Sequence, residues 1–413
     1  MPTQVSSCRI CDNPNLELVL DLGVQSLTGV FPKSKDEPIS EGPLRLVKCV
    51  GDYENACGLL QLEHSYDSVE MYGENYGYRS GLNESMVQHL HRKVERISKL
   101  ADLKAGDLVI DIGSNDATTL KAYRQDGLQL VGVDPTGRKF SEYYPDHIML
   151  IADFFSAGLV RDRFGDKKAK VVTSFSMFYD LEAPMDFMRE IAGILADDGI
   201  WVFEQSYMPA MLETNSFDTV CHEHLEFYAL KQIQWMVERV GLTIDDVEFN
   251  EVNGGSFSIT VRKANGPCAM TPQVEEILRT EADMGLDTLE PFRNFEQRVE
   301  QAREAIREFV AKAGSEGKII AGLGASTKGN VLLQYCGLTS ADMLAVGEVN
   351  EDKFGSFTPG TLIPIISENE MLTRNPDYLM VLPWHFREFF ENSPKFANST
   401  LVYPLPKLEI SAG

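Results

Sequence analysis

Apolar positions recur with two different periods along this chain, and the changes of period mark its segments. Residues 1–68 hold short apolar runs broken by Gly, Pro, Asn and Asp, with almost no helical spacing. Such a stretch reads as a small, loop-rich module that needs a cross-link to fold. From about residue 80 the pattern changes. Asn83 to Leu103 has helical spacing, and Asp107 to Asp111 is a short apolar strand running into a glycine turn and another helix. Leu128 to Asp134, Lys170 to Phe175 and Gly199 to Glu204 are further strands, with a helix over Met185 to Leu195. Alternating strands and helices predict a mostly parallel sheet covered on both faces. Ile244 to Val261 alternates around Gly254-Gly255, which predicts an antiparallel edge. Thr271 to Ala313 is a long, charged helical connector. Lys318 to Gly324 then opens a second strand–loop–helix series, continued by strands at Ala345 to Val349, Tyr378 to Leu382 and Thr400 to Tyr403. The expected organisation is a module over 1–68, an α/β domain over 69–268, a connector over 269–314 and a smaller α/β domain over 315–413.

Bulk properties narrow the partners. The 413 residues are too many for one core, so two to three domains are expected. No apolar run approaches a membrane span, and Met1 to Cys11 has no secretory pattern, so a cytoplasmic protein is expected. A formal net charge of −24 argues against nucleic acid and anionic membranes as partners. The acidic excess, as in Gln273 to Asp287, reads as a solvated surface. An anionic small molecule needs only local N–H groups or a few placed cations.

Four of the seven cysteines lie in the first 57 residues, and the odd total does not suggest a disulfide framework. Cys8-x2-Cys11 with Cys49 and Cys57 supplies the four soft ligands of a closed, structural zinc site. The second pair is wider than a knuckle, and the competing reading is four small buried residues with one accidental CxxC. A segment without a core favours zinc. His64 could substitute for one ligand, but it reads first as a packing or surface residue.

The run from Asp111 to Ala117 (DIGSNDA) follows a strand and opens a helix. Gly113 allows close approach of a ligand to the backbone, and the helix start offers free N–H groups. Asp134, ending the next strand, is placed to accept ribose hydroxyls. This is not the G-x-G-x-x-G fingerprint. Asp111 suits the ammonium group of S-adenosylmethionine, and Asp153-Phe154 suits adenine. Asn115, Pro135 and Ser176 are the other expected cofactor-binding positions. On spacing alone S-adenosylmethionine leads, with NAD or a capped turn still open.

The most unusual stretch runs from Glu204 through Tyr207 to Asp218-Thr-Val-Cys-His-Glu-His-Leu-Glu-Phe-Tyr228. His222 and His224 flank Glu223 and share a face of an extended segment. The spacing is not HExxH; a metal site with further ligands and a buried polar turn are the alternatives. C-methylation gives these groups a purpose. An acceptor carbon becomes nucleophilic once a proton beside a carbonyl is removed, and histidine suits that transfer. Tyr207 or Glu223 would orient the base or support the enolate. Tyr72, Tyr76 and Tyr78 are candidates for a lid, or for an aromatic packing strip.

Taken together, these stretches resemble the sugar C-methyltransferases of deoxysugar pathways, of the tetronitrose C-3-methyltransferase type. The resemblance covers nearly the whole chain. It includes the four-cysteine module, DIGSNDATTL, Tyr207, DTVCHEHLEFY, Gly324 to Asn330 (GASTKGN), Phe357 to Thr361 (FTPGT) and Pro383-Trp384-His385. It implies a Rossmann-like S-adenosylmethionine domain, a small N-terminal zinc module and a second, C-terminal Rossmann-like α/β domain. Zinc would be held by Cys8, Cys11, Cys49 and Cys57. The histidine matching His224 would be the base at sugar C-3, beside a C-4 ketone, with Glu223, His222, Tyr76 and Tyr207 around it. Tyr78, Cys221, Lys328, Asn330, Glu351, Lys353, Trp384 and His385 would meet the nucleotide sugar. Lys328 and the backbone at Gly324 and Gly329 would meet its diphosphate. Cys221 stands where the family often has tyrosine. The implied reaction is C-3 methylation of a nucleotide-diphospho-4-keto-6-deoxysugar, with dTDP, GDP and CDP all open, by a monomer or weak homodimer. Sugar O-methylation and non-catalytic nucleotide-sugar binding are the alternatives.

Overall fold

The computed structural model describes residues 2–52, 56–66, 71, 79–265 and 271–411. Its N-terminal segment is more regular than its sequence predicts. β1 (Thr3–Gln4), β2 (Leu16–Ser26), β3 (Glu41–Cys49), β4 (Leu60–Leu62) and β5 (His64–Ser65) account for much of it. β2 and β3 form a long antiparallel pair with register shifts at Leu18/Leu20 and Asp21/Val24. Each bulge moves the buried positions by one residue, so Val19, Leu20 and Leu22 are all buried on one strand. That erases the strict alternation by which a strand is recognised.

The middle of the chain builds a seven-stranded sheet from β6 (Leu108–Ile112), β7 (Gln129–Val133), β8 (Ile148–Ile151), β9 (Ala169–Phe175), β10 (Leu195–Ser206), β12 (Leu242–Asn250) and β13 (Ser256–Lys263). The order is β8-β7-β6-β9-β10-β13-β12. β13 lies antiparallel between β10 and β12, as the alternation around Gly254-Gly255 predicts. All five residues of β6 are buried, because helices cover both faces of the parallel core. The chain steps one way from β6 to β7 and the other way to β9, so a crevice opens at the carboxyl end of β6. Helix Glu84–Ala101 covers one face; it is capped by the Asn83 side chain and ended by Asp102 in the left-handed region. Between these elements, the short β11 (Glu226–Phe227) leaves this sheet and joins the N-terminal one, in the order β11-β4-β3-β2.

The connector is two helices, Pro272–Asp283 and Glu290–Ser315. The second buries Phe292, Phe295, Val299, Ala302, Ile306 and Val310, a stripe at three- and four-residue steps. The C-terminal sheet contains β14 (Ile320–Leu323), β15 (Val346–Glu348), β16 (Ile365–Ser367), β17 (Tyr378–Val381), β18 (Leu401–Tyr403) and β19 (Glu409–Ser411). Its order is β16-β15-β14-β17-β18-β19, parallel except for β19. One apolar core runs from β2 and β3 through Phe217 and Phe227 into the connector and the C-terminal sheet. Among the described residues, no helix is long and apolar enough to cross a membrane.

Candidate active site

The crevice at β6 holds a cavity of about 230 Å³. Its wall includes Asp111, Gly113, Asn115, Asp134, Pro135, Phe154 and Ser176, seven of the eight expected cofactor positions. Asp153 is exposed beside it, bonded to the Phe154 N–H, and lies outside that wall. The loop is built by three residues in the left-handed region, Gly113 (φ 74), Asn115 (φ 48) and Ala117 (φ 60). Two of these carry a Cβ, so the loop holds strain that its partners must offset. Asp134 supplies part of that hold. One oxygen accepts from Asn115 N at 2.7 Å, and the other from Thr136 N and Oγ1 at 2.7 and 2.6 Å. Asp111 accepts from Thr173 Oγ1 at 2.5 Å, and burial pushes its carboxyl up to about 7. A cation placed there would restore its charge, and the ammonium of the methyl donor fits that position. Met177, Asp180, Phe155 and Phe187 also line the cavity, unread from sequence because they lie on loops and a helix remote from the glycine turn.

Four thiols meet at the N-terminal module. The Sγ atoms of Cys8, Cys11, Cys49 and Cys57 all lie within 4.8 Å of one another and form no disulfide. A tetrahedral Zn–S site at 2.3 Å puts its sulfurs about 3.8 Å apart, so this donor set fits zinc. The wide 49–57 spacing has a simple cause: Cys49 ends β3 and Cys57 precedes β4, so one hairpin brings them together. Asn13 Nδ2 donates to Cys49 Sγ at 3.3 Å and to Val50 O at 2.8 Å, a supporting contact of the kind that orients metal ligands. His64 lies on β5, outside the cluster.

The three residues of the HEH stretch point to different neighbours. His224 Nδ1 donates to Thr219 O at 2.9 Å, which leaves Nε2 as the basic nitrogen. Burial, with a smaller push from Lys328, lowers its pKa to about 4, so the ring is neutral at pH 7. Tyr179 packs edge-on against it, with ring centroids 4.5 Å apart. Glu223 lies against Gly29, where an added Cβ would come within 2.3 Å of its Oε1. Burial pushes its carboxyl up to about 7. His222 is buried against the N-terminal module, 3.4 Å from Gly42 O and edge-on to Tyr66. It therefore does not share a face with His224, because the chain turns here instead of staying extended. Tyr207 donates its hydroxyl to Glu281 Oε1 at 2.8 Å and packs on Phe249 and Phe257, so it is tied to the connector helix. Tyr72, Tyr76 and Tyr78 lie outside the described residues.

The C-terminal residues divide likewise. Trp384 Nε1 donates to Asp218 Oδ2 at 2.9 Å. The charge of Lys328 acts on Asp218, His224 and His385, placing that ammonium near all three. Burial, then Lys328, lowers His385 to about 3. Cys221 is buried, with its thiol 3.6 Å from Glu223 Oε2. Asn330 Nδ2 donates to Thr28 O of the N-terminal module at 2.8 Å, and the Lys353 ammonium donates to Ala325 O at 2.7 Å while sitting 4.4 Å over the Phe31 ring. Glu351 is exposed. Asp218, Thr219 and Tyr179, which contact Trp384 and His224, carry no role legible in the sequence, since none has a spacing that marks it.

Three family models match the chain: a zinc-binding domain over residues 8–72, a methyltransferase domain over 82–247 and a C-methyltransferase C-terminal domain over 251–406. The C-methyltransferase NovU of Streptomyces niveus is 30% identical over 416 residues, covering 98% of this chain and 96% of its own. Among solved structures, an O-methyltransferase family protein of Burkholderia thailandensis matches at 19% identity and a TM-score of 0.34, over 45% of this chain and 59% of its own. Magnesium protoporphyrin IX methyltransferase of Synechocystis matches at 12% and 0.31, over 43% and 79%. At those scores neither bears on the assignment, which rests on the family models and the whole-length match to NovU. The chain belongs to the sugar C-methyltransferase family and is an S-adenosylmethionine-dependent C-methyltransferase with a four-cysteine zinc site.

Proposed function

We propose that the protein methylates C-3 of a nucleotide-diphospho-4-keto-6-deoxysugar, with His224 as the base. One observation carries the reading: a single segment after β9 walls both chemical sites. Met177, Asp180 and Leu181 line the cofactor cavity, while Tyr179 between them packs on the His224 imidazole. That shared segment supports a carbon deprotonated by His224 lying beside the methyl donor. When bound, S-adenosylmethionine supplies a methyl group already activated by its sulfonium charge. His224 Nε2 takes the C-3 proton, activated by the C-4 ketone, while Thr219 O holds the ring through Nδ1. The C-3–H bond electrons pass into an enolate; as the enolate returns to the C-4 ketone, C-3 would bond to the methyl carbon while the donor's C–S bond breaks, its electron pair staying on sulfur so that S-adenosylhomocysteine leaves. Lys328 is the cation whose charge acts on His224, and it faces the developing oxyanion or the diphosphate.

Support for a sugar substrate comes from the resemblance of the ordered motifs and from the contact that brings the C-terminal domain to the HEH stretch, Trp384 Nε1 donating to Asp218 Oδ2. The test is deuterium wash-out from sugar C-3 without methyl donor, using 4-keto-6-deoxyhexoses carrying dTDP, GDP or CDP. Wash-out by wild type and its loss in His224→Asn are expected. Methyl transfer to the sugar without any wash-out would instead assign an O-methyltransferase.

A further inference from the structure

The strand that follows His224 belongs to the zinc module's sheet, not to the sheet that holds the cofactor. Glu226 pairs with Gln61 and Phe227 with Leu60, and Leu62 N donates to Leu225 O at 2.8 Å. Upstream, His222 and Glu223 lean on Gly42 and Gly29 of the same module. One side chain ties the cysteine knuckle to this seam. Arg9, between Cys8 and Cys11, has a side chain only 3% exposed. Its Nη1 donates to Leu62 O at 2.6 Å, and its Nη2 to Ser65 Oγ at 2.9 Å and His64 O at 3.3 Å. Its backbone N–H donates to Gln61 Oε1 at 2.9 Å. The remaining Nε faces two carboxylates, Glu182 at 3.7 Å and Glu226 at 4.0 Å.

Glu226 has the other half of the arrangement. It is buried, and neither carboxylate oxygen has a hydrogen-bond partner among the described residues. It shares the wall of a second cavity with His224, Tyr179, Ser206 and Thr219. That cavity measures about 10 Å³, room for roughly one water. Met208, Met211 and Phe227 make most of the remaining wall apolar, so a water in this space has the Glu226 carboxylate and the few polar groups beside it as its partners.

We infer that Arg9 and Glu226 are positioning residues, which transmit the geometry of the cysteine knuckle to the His224 imidazole across this one-water cavity. The inference rests on His224 being the base. A guanidinium can make this link because its planar fork grips the carbonyls of Leu62, at the end of β4, and His64, on β5, while its last N–H faces Glu226, a combination lysine cannot reproduce. Neither residue meets substrate.

The test uses the full-length, zinc-loaded protein and four variants, Arg9→Met, Arg9→Lys, Glu226→Leu and His224→Asn. Zinc content, S-adenosylmethionine affinity, kcat, and C-3 wash-out with the same three keto sugars are measured on each. Arg9→Met and Glu226→Leu are expected to lose about tenfold or more in kcat and wash-out, the scale of losing a supporting partner. Zinc content and cofactor affinity should stay within about twofold, and Arg9→Lys should recover part of the loss because it keeps the charge without the fork. Glu226 lies outside the knuckle, so its variant reads the link even if Arg9→Met sheds zinc. Wild-type wash-out in Glu226→Leu overturns the inference. Wash-out retained in His224→Asn overturns the assignment of the base instead.

Discussion

His222 and His224 are two residues apart, yet their environments give them opposite roles. His224 is fixed by one backbone carbonyl through Nδ1, leaving Nε2 as its basic nitrogen, and its ring packs on Tyr179. His222 is 1% exposed and serves packing. Burial holds its pKa at about 4 in the fold, against about 6.5 in the unfolded chain. Between those values the unfolded state binds more protons, so stability rises with pH across that window and is lost as pH falls through it. The full difference is roughly 3 kcal/mol at 1.36 kcal/mol per unit. His222→Gln keeps a donor toward Gly42 and cannot titrate, so its stability should fall less than wild type's between pH 7 and 4.5. Urea unfolding at the two pH values measures this; equal pH slopes for the two proteins would show that His222 does not set acid sensitivity. The HEH spelling alone could not separate the two histidines, because their roles depend on which module each faces.

Elements with strong local signals were legible in the chain. β6, β7, β9 and β10 read as buried apolar runs, though the four-residue β8 was not read as a strand, and Gly254-Gly255 marked the antiparallel edge. The N-terminal hairpin did not, because the bulges in β2 break its alternation. Nor did β11, two residues long, whose pairing with β4 spans more than 160 positions and leaves no local pattern. The cysteine quartet was readable by ligand type, though its 49–57 spacing made sense only once the hairpin was seen. The hairpin also sets what zinc does for the element. Cys49 and Cys57 close the β3–β4 connection, so losing one thiolate frees the strand on which β11 lies. Cys57→Ser should lower zinc content and reduce the melting temperature by roughly 5 °C or more, as expected when several kcal/mol of metal-linked folding energy is lost. Metal analysis alongside a thermal melt decides it; a full zinc complement with an unchanged melt would remove the site from the fold's support.

At the scale of the whole molecule, the three parts of the chain converge on one short segment. The zinc module supports residues 222–227, the cofactor domain supplies Tyr179, and the C-terminal domain reaches Asp218 through Trp384. The N-terminal and C-terminal parts also grip each other directly, through Gln334 with Ser26 and Asn330 with Thr28. Asp218 is the most exacting of these joints. Its carboxylate is 1% exposed and accepts from the Trp384 indole; burial raises its pKa, and Lys328 acts against that rise. Trp384→Phe removes the donor and leaves a buried carboxylate short of one bond, a cost of about 1–3 kcal/mol. The lost bond favoured the charged form, so the folded pKa of Asp218 moves further up in the variant. A raised carboxyl contributes stability at low pH that is lost as pH rises through the folded value. The variant's deficit against wild type should therefore be larger at pH 8 than at pH 5. Because Asp218 precedes Thr219, whose carbonyl holds His224, kcat should fall as well, while affinity for S-adenosylmethionine stays unchanged. Urea unfolding at both pH values, with calorimetry of cofactor binding, reads every part. A deficit independent of pH would mean that Trp384 only fills space between the domains.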